Sequence, residues 1–264
     1  MKGALLVAVV VLLHLAVFAW LPPEALAGYR VASRITFKAA TAAACLWAAG
    51  TLSPGDYMRP FWTLLGASYL LLTAAEPVVC AALAGGDQER ADGLAAAFLL
   101  AGNLVSVGAS ALLAFAYRAA GVGLAHGSRL AWIAVGLVAV AIPGYGIERE
   151  VARALRSGAF EAWASVASYV CDALVFVLLV PVMRFALQLA GGKLARPWWA
   201  FAAGTLAWLL FDATEPLAAV APGAPVAMAS EAARTLGTLL TGLAAVYAWV
   251  LVAEARAERV AVPP

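Results

Sequence analysis

The chain reads RPFWTLLGASYLLLTAAEP at residues 59–77 and repeats the pattern as RPWWAFAAGTLAWLLFDATEP at residues 196–216. In each stretch, Arg-Pro precedes two aromatic residues, an apolar run follows, and the run closes on Glu-Pro. A run of roughly 20 apolar residues can cross the hydrocarbon core of a bilayer as a helix. The recurrence therefore indicates two membrane helices related by an internal duplication, each with acidic residues that are costly inside a membrane.

Composition places the whole chain in the membrane class. Of its 264 residues, 65% are hydrophobic and 12% are charged, and the mean hydropathy is +0.92. An average soluble domain has about 25% charged residues. We predict an all-α bundle of eight membrane-spanning helices that leaves no room for a separate soluble domain. The predicted spans are 4–21, 33–52, 60–84, 93–118, 129–147, 163–190, 197–220 and 229–253.

The repeated motif divides this single membrane domain into two four-helix repeats, residues 1–127 and residues 128–264. Because four spans return the chain to its starting side, the two repeats share one orientation and are parallel. Residues 1–27 imitate a secretory signal, but we expect a retained helix because it pairs with span five of the second repeat. We predict a multi-pass protein of a bacterial-type inner membrane, and the positive-inside rule favours both termini on the cytoplasmic side. Tryptophans near span ends, including Trp62 and Trp198, fit an aromatic belt at the membrane interface.

Helical rise brings ionisable residues of several spans to one depth. At about 1.5 Å per residue from Pro60 and Pro197, Glu76 lies ~24 Å along its helix, and Asp212 and Glu215 lie ~22 and ~27 Å along theirs. We predict an acid-rich pocket in one half of the membrane, in which one or two carboxyl groups hold a proton at neutral pH. The residues that converge there are Lys38, Glu76, Asp172, Asp212, Glu215, Glu231 and Arg234.

Within this pocket we assign catalysis to Asp212 and Glu76, because a carboxylic acid and a carboxylate can together donate and accept the protons needed to activate water. Plainer interpretations stay open for other residues. Glu215 and Glu231 can reach the lipid head groups from a helix end, and Asn103 can form an interhelical hydrogen bond. The predicted substrate-binding residues are Lys38, Glu215, Asn103, Asp172 and Thr73.

Several segments carry a further signal. They are Lys38 near the start of span two, LGASYLLL at 65–72, GLAAAF at 93–98 and GTLAWLLFD at 204–212. Together they resemble the YhhN-like lysoplasmalogenases, eight-span membrane proteins whose animal relatives hydrolyse the vinyl-ether bond of lysoplasmalogens. The resemblance implies a lipid hydrolase with Asp212 at the position of a family aspartate. Asn103 stands where the family has histidine, and Glu76 lies one turn after the family's first aspartate.

Three functions fit these features. The first is an intramembrane hydrolase that binds a small amphipathic or lipid-like molecule, which predicts acids in one water-bridged site open to lipid. The second is a proton- or cation-coupled carrier, which predicts a cavity between the repeats with a route to the other face. The third is a non-enzymatic membrane subunit or sensor, which predicts closed salt bridges.

We expect membrane lipids as partners, and a homo-oligomer or a larger membrane complex stays open. The formal charge of +2 gives no basis for nucleic-acid binding. No nucleotide or zinc motif stands in a suitable context, so we expect neither a cofactor nor a metal.

Overall fold

The computed structural model describes residues 2–119, 128–189, 192–220 and 224–261. Every regular element within these ranges is helical, which confirms the all-α fold class. The helices are α1 (Lys2–Trp20), α2 (Pro23–Thr51), α3 (Met58–Ala84), α4 (Gln88–Ala119), α5 (Ser128–Ala141), α6 (Gly144–Ser157), α7 (Phe160–Leu178), α8 (Val180–Gln188), α9 (Arg196–Val220) and α10 (Ala224–Ala261), with a short 3-10 turn at Lys193–Ala195.

Five helical segments of the described chain are long and apolar enough to cross a membrane. They are Lys2–Trp20, Met58–Ala84, Gln88–Ala119, Phe160–Gln188, in which α8 continues α7, and Pro225–Glu258. They coincide with predicted spans one, three, four, six and eight, and they are compatible with a multi-pass membrane protein. Spans two and seven correspond to the helices α2 and α9, which carry several of the ionisable residues. The eight-span arrangement stays a prediction.

The predicted fifth span, residues 129–147, is wrong as one continuous helix. α5 ends at Ala141, and α6 begins at Gly144 after a turn at Ile142 and Pro143. Proline has no backbone N–H to donate within a helix and clashes with the preceding turn, so it favours a break at this point. The boundary between the predicted repeats adjoins residues 120–127, which lie outside the described residues, and the division into two repeats stays a prediction.

α6 is an amphipathic helix that packs against α7 and α9. A Cβ atom on its Gly146 would lie 3.0 Å from the ring of Tyr169 and 3.1 Å from Pro216, so this contact requires the small residue. Arg149 donates a hydrogen bond of 2.9 Å to the carbonyl oxygen of Pro216, near the end of α9. The helix stops at Gly158, whose φ of 65° is in the left-handed region that favours glycine.

The two Arg-Pro-aromatic motifs pack together in the core. Phe61 and Trp62 of the first copy are completely buried. The Phe61 ring centroid lies 6.4 Å from that of Trp198 and 5.4 Å from that of Phe201, both in the second copy. Trp62 and Trp198 are 0% and 8% exposed, so their assignment to an interfacial belt is wrong. Trp199 is 43% exposed, and neighbouring positions of one motif therefore have opposite environments.

Small residues allow the central helices to approach closely. A Cβ atom on Gly237 of α10 would lie 2.8 Å from the indole of Trp208 in α9. On α9, a Cβ atom on Gly204 would lie 3.1 Å from the hydroxyl of Thr241. Such contacts are typical of membrane helices, which associate through packing because lipid tails are as apolar as the protein interior. They bring α9 and α10 together beside the polar cavity described next.

Candidate functional site

Six helices, α2, α3, α4, α7, α9 and α10, line a cavity of about 310 Å³. Each helix contributes residues spaced mainly three, four or seven apart, which places them on one helical face. Six of the seven predicted site residues line this cavity: Lys38, Glu76, Asn103, Asp172, Asp212 and Glu215. The convergence inferred from helical rise is therefore present in the tertiary structure, although the roles assigned to these residues stay predictions.

Asp172 of α7 and Asp212 of α9 are neighbours in the cavity wall, and their carboxyl groups are close enough to interact. Asp212 is 3% exposed, and no amine, amide or hydroxyl group among the described residues donates a hydrogen bond to its buried Oδ2 atom. An ionised carboxylate can only accept hydrogen bonds, so a bond between two carboxyl groups requires one proton on the pair. A pair in this state contains one acid and one base.

Glu76 has a different environment, because it is paired with a cation. The Nζ atom of Lys38 donates to Glu76 Oε1 at 2.7 Å and to the carbonyl oxygen of Leu72 at 3.2 Å. The Lys38 and Glu76 side chains are only 13% and 15% exposed. The carboxyl group beside Asp212 thus belongs to Asp172, which we predicted to bind substrate, whereas the catalytic role of Glu76 stays a prediction.

The other predicted residues divide among three positions. Asn103 lines the cavity and also donates from Nδ2 to Ser168 Oγ at 2.5 Å, which joins α4 to α7 as the structural interpretation expected. Glu215 is exposed yet lines the same cavity. Thr73 lies outside the lining and donates to the carbonyl oxygen of Tyr69 in its own helix at 2.7 Å.

Two arginines join Lys38 in the cavity wall, Arg34 of α2 and Arg234 of α10. Arg234 forms a salt bridge with Glu231, which precedes it by three residues and so shares its face of α10. We did not assign Arg34 to the site, although it precedes Lys38 by four residues and therefore shares its helix face. The Nε atom of Arg34 is buried with no acceptor among the described residues.

A buried network behind this wall attaches α1 to the bundle. His14 of α1 is 3% exposed. Its Nε2 atom lies 3.0 Å from Glu231 Oε1, and its Nδ1 atom lies 2.7 Å from the hydroxyl of Tyr29. Glu231 consequently has two partners, His14 and Arg234, and is not free to reach the lipid head groups.

One contact joins corresponding positions of the two predicted repeats. Trp208 Nε1 donates to the Tyr69 hydroxyl at 3.2 Å, and both side chains line the cavity. The separation of 139 residues between Tyr69 and Trp208 also relates Glu76 to Glu215. Residues that a duplication would make equivalent therefore meet at the cavity.

A second cavity, of about 260 Å³, lies further along the same helices toward the other end of the bundle. Its lining is largely apolar and includes Trp62, Tyr117 and Trp198. Phe201 lines the first cavity and Trp198 lines the second, and the two belong to one buried aromatic cluster. Tightly packed aromatic side chains thus lie between the two cavities.

Within the described residues, no group of three or more His, Cys, Asp or Glu side chains is placed to hold a metal ion. Comparison of the chain with protein-family models, curated proteins and solved structures found no match. The family resemblance consequently stays a prediction.

Proposed function

We propose that the protein is an intramembrane hydrolase that binds a small amphipathic, lipid-like molecule in the polar cavity. The observation that carries this proposal is the contact between Asp172 and Asp212, in which no amine, amide or hydroxyl group among the described residues donates to the buried Oδ2 atom of Asp212. Buried polar atoms normally have a hydrogen-bond partner, so this oxygen is available to a proton on Asp172 or to a polar reactant or water in the cavity.

The amphipathic lining supports the proposed class of substrate. Leu65, Leu72, Leu99, Val175 and Phe201 line the same cavity as the charged residues. At about 310 Å³, the cavity is at the small end of the range for ligand sites, roughly 300–1,000 Å³. This volume fits the polar end of an amphiphile and the first part of its chain, with the remaining chain left in the bilayer.

The resemblance to lysoplasmalogenases suggests a vinyl ether as the reacting bond. In that reaction the protonated carboxyl group of the aspartate pair donates a proton to the vinyl carbon, and the ionised partner accepts one from the attacking water. The resulting hemiacetal opens to an aldehyde and an alcohol. The pair loses one proton and gains one, so its proton count is unchanged, and passage of the proton between the two neighbouring carboxyl groups restores the starting state, as acid–base catalysis requires.

The remaining architecture belongs to the same proposal. We place the cavity on the axis between two parallel four-helix repeats of an eight-span inner membrane protein with both termini cytoplasmic. The contact between Tyr69 and Trp208 supports this axis, since it joins positions that the duplication relates. Membrane lipids are the source of the substrate in this arrangement.

The closed aromatic cluster between the two cavities makes hydrolysis a better fit than transport. Phe61 and Trp62 are completely buried there, whereas a carrier must open a route past them. The paired charges, Lys38 with Glu76 and Arg234 with Glu231, agree with the third possibility, a non-enzymatic subunit or sensor. A non-enzymatic subunit or sensor does not, however, require two neighbouring carboxyl groups such as those of Asp172 and Asp212.

The decisive experiment replaces each acid by its amide. Asp212→Asn and Asp172→Asn keep the side-chain size and remove the acid–base function, and Glu254→Gln is a matched control in the exposed pair with Lys193. Lipid extracts incubated with each purified variant are compared by mass spectrometry. We expect both aspartate variants to lose hydrolysis by about 100-fold or more, while the control retains it.

The same variants separate the alternatives. Unchanged lipids together with an altered pH-dependent flux in proteoliposomes would reject hydrolysis and support the carrier. If neither lipids nor flux changes and the protein copurifies with a membrane partner, the subunit interpretation replaces both. Glu76→Gln in the same assays tests its predicted catalytic role.

A further inference from the structure

We infer that Arg34 and Arg234 form an oxyanion subsite of the cavity that binds the phosphate or carboxylate head group of an amphiphile. The inference rests on the proposed function in placing an amphiphile in this cavity, and it adds the charge of that molecule. It concerns α2 and α10, whereas the proposed acid–base pair lies on α7 and α9.

Arg34 differs from the neighbouring cations in its pairing with acidic residues. Three cations line this part of the cavity, namely Arg34, Lys38 and Arg234. Glu76 neutralises Lys38, and Glu231 neutralises Arg234. Among the described residues, Arg34 has no salt bridge and no side-chain hydrogen bond, and its Nε atom is buried. One positive charge at the cavity wall thus has no salt bridge or hydrogen bond within the described part of the chain.

Arg34 and Arg234 are also neighbours. Both line the main cavity, and both line a small crevice beside it together with Glu231, Lys38 and Thr235. Neighbouring like charges repel each other, and an anion that reaches both arginines from the main cavity lowers that repulsion. Guanidinium groups present their donors in a planar fork that matches the oxygens of phosphate and carboxylate.

The salt bridge with Glu231 weakens the attraction of Arg234 for a bound anion, but it leaves the proposed subsite accessible. This carboxylate accepts from Arg234 and is also within hydrogen-bonding distance of His14, at 3.0 Å. Glu231 lines the small crevice but not the main cavity, whereas Arg34 and Arg234 line both. An incoming oxyanion would find in Arg34 a guanidinium that forms no competing contact with a described carboxylate.

The test measures binding of amphiphiles that contain no bond for the enzyme to hydrolyse. Purified full-length protein in an uncharged detergent is titrated with decyl phosphate, decanoate, decylphosphocholine and inorganic phosphate, and native mass spectrometry counts the bound molecules. We expect one molecule of decyl phosphate or decanoate to bind, and to bind more tightly than the net-neutral decylphosphocholine.

The informative variant is Arg34→Gln, which breaks no described contact within the protein. Loss of one charge-assisted hydrogen bond should weaken binding of decyl phosphate on the order of 10- to 100-fold. Arg184→Gln is the matched control, since Arg184 also has a buried nitrogen without a partner but lines neither cavity. Arg234→Gln is combined with Glu231→Gln so that no carboxylate is left unpaired, and this double variant should also bind decyl phosphate more weakly.

Equal affinity for decyl phosphate and decylphosphocholine, or unchanged binding by Arg34→Gln, would overturn the subsite. Equal affinity for inorganic phosphate would identify a free anion as the ligand and overturn its assignment to an amphiphile. Hydrolysis is tested independently, because Asp212→Asn should lose hydrolysis but still bind decyl phosphate at least as tightly as the wild type. A wild-type protein that selects anions but hydrolyses nothing would refute the proposed reaction and leave the subsite intact.

Discussion

Removing the carboxylate of Glu76 should destabilise the bundle mainly by leaving Lys38 unpaired. Both side chains are at least 85% covered, and their charged atoms lie 2.7 Å apart. After Glu76→Gln, the ammonium group retains its contact with the Leu72 carbonyl oxygen at 3.2 Å, but it no longer has a counter-ion. The variant therefore tests whether this pair is a structural contact between α2 and α3.

The expected magnitude follows from this partial burial. Breaking a fully buried ion pair costs about 3–5 kcal/mol, much of it because one charge is left uncompensated. The exposed fractions of 13% and 15% and the retained carbonyl contact reduce that cost. We therefore expect Glu76→Gln to lower the free energy of unfolding by about 2–3 kcal/mol. Lys38→Met with Glu76→Gln should recover most of the loss, because no charge then lacks a partner.

A double-mutant cycle provides the measurement. The free energy of unfolding of the wild type, both single variants and the double variant is obtained from equilibrium unfolding in mixed detergent and dodecyl sulfate micelles. We expect a coupling energy of about 1.5–3 kcal/mol between Lys38 and Glu76. A coupling energy below about 0.5 kcal/mol, as for an exposed pair, would refute the reasoning. If the double variant is stable but inactive, Glu76 or Lys38 has a role in the reaction as well.

Other perturbations test the packing around the site. Gly237→Ala places a Cβ atom 2.8 Å from the Trp208 indole. We therefore expect the free energy of unfolding to fall by about 1–3 kcal/mol. An unchanged free energy of unfolding would show that α9 and α10 can separate at little cost. His14→Ala removes the contact with Glu231 and should loosen α1 by about 1–3 kcal/mol, seen as faster proteolysis of that helix; proteolysis at the wild-type rate would contradict this. Trp62→Ala leaves a cavity at a fully buried position and should lower the free energy of unfolding by about 3–5 kcal/mol. The measurement uses the same mixed micelles, and a loss below about 1 kcal/mol would contradict the prediction.

Some of the cavity residues can be predicted from their positions along single helices, and others cannot. Glu76, Asp212 and Glu215 could be grouped from their distance along two helices, because helical rise is constant. Arg34 could also have been found, since it lies four residues before Lys38 on the same face. The partner of Asp212 could not, because helical rise gives depth and says nothing about which helices are neighbours.

Two predictions about the fold were wrong because sequence position and hydropathy do not show which side chains pack together or where a helix is interrupted. Trp62 and Trp198 were predicted at the interface from their positions near span ends, but the two copies of their motif pack against each other in the core. The fifth span was predicted to continue through Pro143 because the sequence is apolar on both sides of this residue. Hydropathy measures compatibility with lipid, and buried aromatic residues or interrupted helices satisfy that measure as well.

Sequence alone determined the helical class, the membrane character, the duplicated motif and the depth of the charged residues, because these depend on composition and on the constant rise of a helix. Only the tertiary structure decided that Asp172 meets Asp212, that Lys38 pairs with Glu76, and that Arg34 has no salt bridge within the described part of the chain. In a soluble protein, an apolar stripe would have marked the buried face of each helix. In a membrane protein, lipid and core are equally apolar, so close packing at small residues and the pairing of a few charges select the neighbours.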